Sequence, residues 1–135
     1  MYKNILVPID PSHQERHDIA FDMAQHLAAD GAKITALTVV EHLPSYVGAS
    51  AMMPELDDRI KKNVTDALAE FSSGRDVETA ILHGPPGSEI VQYAKDKDID
   101  CIVIASHKPG FGDFLLGSTA ARVVRHAQCC VHVLR

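Results

Sequence analysis

The run Cys101-Ile102-Val103-Ile104-Ala105 constrains the fold more than any other stretch of the chain. It is apolar without alternation, so both of its faces must be covered, which is the condition of a central strand in a parallel sheet. Parallel strands need crossover connections, so helices must lie on the faces of that sheet. The run breaks into the segment from Ser106 to Ser118, which carries Gly110, Gly112 and Gly117, and a helix is expected from Ser118 with Val123 and Val124 inward. Strand, glycine-bearing loop and helix start together form a site for an anion, because the first amides of a helix have no partner within it. The alternative is a flexible connection ahead of an ordinary capped helix.

The rest of the chain repeats this alternation. Ile5-Leu6-Val7-Pro8-Ile9 reads as the first strand, and Asp10-Pro11-Ser12 follows, with Asp10 or Ser12 as N-cap and Pro11 suited to the first helical turn. The helix then carries Ala20, Phe21, Ala24, Leu27 and Ala28 on one stripe and is expected to end at Gly31. Ile34 to Val40 is a second strand, and His42 to Met53, which lacks periodicity, is a surface loop. A helix from Pro54 presents Leu56, Ile60, Val64, Ala67, Leu68 and Phe71 at helical spacing until Ser72-Ser73-Gly74 stops it. Val77 to Leu82 is the third strand, Ser88 opens a short helix with Ile90, Val91 and Ala94 inward, and Cys129 to Leu134 is the last strand. Strands alternating with helices in this way predict one domain over residues 1–135, a doubly wound parallel α/β sheet with helices on both faces.

Composition excludes several classes of function. The 135 residues fit a single core, and a formal charge of -5 with no basic run beyond Lys61-Lys62 gives neither a nucleic-acid footprint nor a patch for anionic membranes. The apolar run at the N-terminus is too short for a signal peptide, and no apolar stretch approaches the roughly 20 residues of a bilayer-spanning helix. The cytoplasm is therefore the expected compartment. The three cysteines, Cys101, Cys129 and Cys130, read as reduced thiols serving as small buried hydrophobes.

Ligands of an open parallel sheet gather at the carboxyl ends of strands, where the winding order reverses. The first such turn is Asp10-Pro11-Ser12-His13, without glycine, so neither GxGxxG nor GxxxxGK[ST] is present there. A phosphotransfer receiver wants an aspartate after the third strand, where this chain has His83. His13 and His17 lie four apart, but HQERH is not HExxH, and a solvated or half-buried helix face is expected for them instead of a metal site. His126 and His132 are expected far from the cleft. Asp10 serves either to position Mg²⁺ or as a cap. In the loop, Lys108 is the only cation, with Arg122 and Arg125 one and two turns into the following helix. No nucleophile and base pair stands out, so efficient catalysis is not indicated.

The opening ILVPID, the second strand LTVV, the central IVIASH, the LLGST at the loop's end and the closing RHAQCCVHVLR resemble the universal stress protein family from end to end. That resemblance implies a Rossmann-like domain of the adenine nucleotide α-hydrolase type, with strand order 3-2-1-4-5. It implies a stress-response regulator or sensor that binds ATP, with Mg²⁺ as a potential companion ion, and acts as a homodimer through its last strand, Cys130 to Leu134. By position, Pro8, Ile9 and Asp10 would border the adenosine and Val39 the adenine. Ile104, Ala105 and His107 would line the ribose, Gly117, Ser118 and Thr119 would hold phosphates, and Lys108 would add charge. ATP-binding members carry Gly, two residues, Gly, nine residues, then Gly and Ser or Thr. Here Gly117-Ser118 matches the last pair, whereas Ala105 replaces the first glycine, the second falls on or beside Lys108, and the spacing is one residue short. A nucleotide-free dimeric module of the same fold, or a weak ATP-hydrolysing or self-phosphorylating enzyme, is the alternative reading.

Overall fold

The computed structural model of this chain describes residues 1–11, 14–41, 54–106 and 116–135. Ser12, His13, residues 42–53, expected as a surface loop, and His107, Lys108, Gly110 and Gly112 lie outside them. Continuous apolar runs became strands: β1 (Tyr2–Pro8), β2 (Ala28–Val40), β3 (Glu78–His83), β4 (Cys101–Ala105) and β5 (Cys130–Leu134). Between them stand α1 (Gln14–Leu27), α2 (Pro54–Ser72), α3 (Pro86–Asp96) and α4 (Ser118–His126). The five strands form one sheet in the order β3-β2-β1-β4-β5, and every neighbouring pair is parallel. The winding reverses between β1 and β4.

The pleat sorts side chains to two cores. Ile5 and Val7 of β1 and Cys101 and Val103 of β4 face α1 and α2, where Ala20, Phe21, Ala24, Val64, Leu68 and Phe71 cover them. Leu6, Leu37, Ile102 and Ile104 point the other way, onto Ile90 and Ala94 of α3 and Ala120 and Val123 of α4. Ile5, Leu6, Val7, Ile102 and Val103 are wholly excluded from solvent, each worth roughly 1.5–3 kcal/mol of transfer free energy. Phe21 and Phe71 meet edge to face, and the Arg75 guanidinium lies 4.4 Å from the Phe71 ring centre while pairing with Asp18 at 2.6 Å. At the amino ends of the strands, the Asp100 carboxylate accepts the backbone N–H groups of Lys3 and Asn4 at 2.8 and 3.0 Å, which fixes where β1 begins beside β4.

Several local expectations are corrected. Helix α1 stops at Leu27, and Gly31 is not its cap but lies within β2 at φ +75. Tyr2 pairs with Ala28 and Asn4 with Lys33, so β2 has extra residues between those two pairings, and a residue free to take positive φ absorbs the irregularity. Helix α3 starts at Pro86, ahead of Ser88, because proline at the first helical position forfeits no hydrogen bond. Val124 is exposed, since in nine residues α4 buries Ala120 and Val123 only. Cys101 is buried, whereas Cys130 is exposed at the sheet edge, so the small-hydrophobe reading holds for the first and fails for the second.

Helices α3 and α4 lie close together because of Gly87. A Cβ built there would stand 2.9 Å from both Cβ and Cδ of Arg122. Glycine at this place sets the distance at which α4 rests on its neighbour. The amino end of α4 is therefore positioned by its packing on α3.

Candidate functional site

At the carboxyl ends of β1, β2 and β4, where the winding reverses, a cleft of about 440 Å³ opens. Pro8, Ile9, Asp10, Val39, Ile104, Ala105, Gly117, Ser118 and Thr119 all line it. The expected site residues that the structure describes are thus brought together, and His107 and Lys108 lie outside the described residues. Arg16 and His17 of α1, Glu41, Pro86 and Ser106 complete the wall.

The floor is held by the sheet itself. Ile9 extends the β1 pairing one residue further, its N–H donating to the Leu37 carbonyl at 2.8 Å. The buried Thr38 hydroxyl donates to the Ile9 carbonyl at 3.1 Å. Val39 and Ile104 belong to the core under α3 and α4 and Ile9 to the core under α1 and α2, and all three give the cleft an apolar lining. Such a lining suits the apolar part of a ligand, with the polar groups of the rim to orient it.

His17 corrects the expectation of a solvated or half-buried face. It is 4% exposed, and its Nε2 meets the backbone of Asp10, accepting the N–H at 3.0 Å in one tautomer and donating to the carbonyl oxygen in the other. His17 stands in the first turn of α1. His17 therefore ties the Asp10 backbone in place. Among the described residues no group of three or more His, Cys, Asp or Glu could hold a metal ion.

On the opposite side stands the amino end of α4. Its N-cap is Gly117, with φ -57 and ψ 153 and no side-chain cap, so Ser118 is the first residue of the helix proper. Ala121 N–H donates to the Gly117 carbonyl at 2.8 Å, which begins the helical ladder. The Gly117 N–H is engaged, donating to Ser106 Oγ at 3.1 Å. Ser118 and Thr119, the first two residues of α4, line the cleft, and the first amides of a helix have no partner within it, an arrangement able to accept an anion. Arg122 and Arg125 are exposed and do not line the cleft.

Arg16 was not legible as a site residue, because its role depends on where the first turn of α1 comes to rest. Its Nη1 donates to the Ser106 carbonyl at 2.9 Å, while the Ser106 N–H donates to Leu134 of β5 at 2.8 Å. Ser106 thus joins α1, the sheet edge and α4. The usable signal was a cation in the first helical turn after a strand, a place that faces the carboxyl end of the sheet.

A doubly wound parallel sheet with a helix beginning at its switch point is a Rossmann-like fold. The sequence model of the universal stress protein family matches residues 1–135. The chain is 32% identical to universal stress protein MJ0531 of Methanocaldococcus jannaschii, over all of this chain and 83% of that protein. Its structure resembles universal stress protein UspA from Lactobacillus plantarum with a TM-score of 0.81 and 32% identity, covering 99% of this chain and 98% of that one. It also shares its fold, at a TM-score of 0.66 and 23% identity, with a universal stress protein solved in complex with cAMP, covering 99% and 97% of the two chains. The chain belongs to the universal stress protein family.

Proposed function

We propose that this chain is a cytoplasmic stress-response regulator that binds ATP in the cleft at the β1 and β4 switch point and acts as a homodimer. The observation that carries the reading is the joining, in one cleft, of an apolar lining with the amino end of α4, whose N-cap is a glycine. Pro8, Ile9 and Asp10 border the adenosine, Val39 touches the adenine, and Ile104 and Ala105 back the ribose. Ser118 and Thr119 hold phosphate oxygens through amides and hydroxyls, and Gly117 lets them approach. His107 and Lys108, outside the described residues, belong to the same proposal. Asp10, which lines the same cleft, would be a carboxylate oxygen donor for a Mg²⁺ that comes with the nucleotide. The neighbour bound to cAMP carries a nucleotide on this fold, and the case for this chain rests on its own cleft residues.

The test is to extract purified protein, identify any nucleotide carried along by mass spectrometry, and titrate ATP with Mg²⁺ by calorimetry. Saturable binding supports the proposal, and no heat at millimolar ATP contradicts it. A second reading, a nucleotide-free dimeric module, is favoured by the two carboxylates, Asp10 and Glu41, that line the cleft. Both readings use β5, an edge strand with part-buried Val131 and Val133, which a second copy would cover by pairing edge to edge. Val133→Asp is expected to convert a dimer to a monomer on a sizing column; an unchanged elution volume would remove the dimer.

A further inference from the structure

We propose that Arg16 is the residue that reads phosphate charge in this cleft, so that it sets the preference for ATP over adenosine. The proposal rests on the nucleotide reading above and adds to it a side chain from α1, on the opposite face of the sheet from α4. Among the described residues lining the cleft, Arg16 is the only lysine or arginine, and Asp10 and Glu41 carry the opposite charge. A polyphosphate entering this cleft meets two carboxylates. The amides of α4 offer it partial charge, and Arg16 offers a full one.

The guanidinium is also positioned for the task. Its bond to the Ser106 carbonyl is 2.9 Å long and part-buried, and Ser106 Oγ accepts from Gly117 N–H at 3.1 Å. Through Ser106, Arg16 is registered against the residue that caps α4. A guanidinium carries five N–H donors in a planar fork, so the bond to Ser106 leaves donors for phosphate oxygens, which guanidinium groups take two at a time. The same bond restrains the side chain before a ligand arrives, which lowers the ordering cost of recruiting it.

The experiment measures ATP, AMP and adenosine binding to the full-length wild type, Arg16→Gln and Arg16→Lys by calorimetry, with unfolding curves to establish that each variant is folded. Arg16→Gln is expected to weaken ATP about 10- to 100-fold, the usual range for losing charge-assisted bonds, and to change adenosine by less than about twofold. Arg16→Lys, which keeps a point charge but not the fork, is expected to recover part of the loss. The ATP affinity of Arg16→Gln is also expected to fall less steeply with added salt than that of the wild type. Equal weakening of ATP and adenosine would make Arg16 a structural tether of Ser106 and overturn the proposal, as would unchanged affinities. Wild-type protein that binds neither ATP nor adenosine would overturn the nucleotide reading itself and this proposal with it.

Discussion

Replacing Gly87 by alanine sets two opposed effects against each other. Gly87 is the second residue of α3, and alanine there gains helix propensity. That gain is about 0.5–1 kcal/mol in a helix interior, and a first-turn position stands at the lower end. Against it, the new methyl would lie 2.9 Å from Arg122 Cβ and Cδ and 3.1 Å from Cγ. The outer carbons of arginine can swing away, but Cβ is fixed to the backbone of α4, so the helices must separate. Overpacking of this kind costs about 1–3 kcal/mol, and the clash wins by roughly 0.5–2.5 kcal/mol. With an unfolding entropy near 2.1 cal/mol/K per residue, that corresponds to a fall in Tm of about 2–9 °C for a chain of this length. Differential scanning calorimetry of Gly87→Ala measures it. Because Ser118 and Thr119 ride on α4, ATP affinity is expected to fall in the same variant at temperatures where it remains folded. A Tm equal to or above that of the wild type would refute the reasoning, by showing that Gly87 does not set the spacing of α3 and α4.

Thr38→Val keeps the shape of a 3% exposed side chain but removes the donor to the Ile9 carbonyl, and a loss of about 1–3 kcal/mol is expected in urea unfolding; stability within error of the wild type would count against that bond. Burial is the largest cause pushing the Cys101 thiol from its ordinary 9.0 up to about 12, with Cys130, Cys129 and Asp100 adding to it. The folded chain holds that proton where the unfolded chain releases it, so this contribution is complete below pH 9 and is lost as pH rises toward 12. Cys101→Ala is therefore expected to show a flatter alkaline stability profile than the wild type, and parallel profiles would exclude the thiol as the cause. Under native conditions a thiol reagent is expected to modify exposed Cys130 quickly and Cys101 only on unfolding, with rapid labelling of Cys101 as the contrary result.

The architecture was legible because it follows from pattern. Ile5 to Val7 and Cys101 to Ile104 are apolar without alternation, and such runs fit only strands buried on both faces. The site was legible only in part. Ser118 and Thr119 could be placed because a glycine ahead of a helix announces its amino end, and Asp10 because it closes a strand. Arg16 and His17 could not be placed, since sequence spacing fixes which residues share a helical face but not which way that face turns over the sheet. Gly31 misled for a related reason: its positive φ is local, yet what demands it is the register between β1 and β2. Nor does sequence reveal that Ser106 occupies the Gly117 amide, a contact across 11 residues. Pairwise contacts of this kind arise only after packing.

The cleft between the ends of β1 and β4 and the amino end of α4 is the centre of the account, and backbone NMR during ATP titration tests it most directly. Amide shifts are expected to move saturably and to cluster on Ile9, Asp10, Val39, Ala105, Ser118 and Thr119, with the amides at the amino ends of the strands, such as Lys3 and Asp100, unmoved. Shifts that are absent, or that map to another face of the sheet, would contradict it.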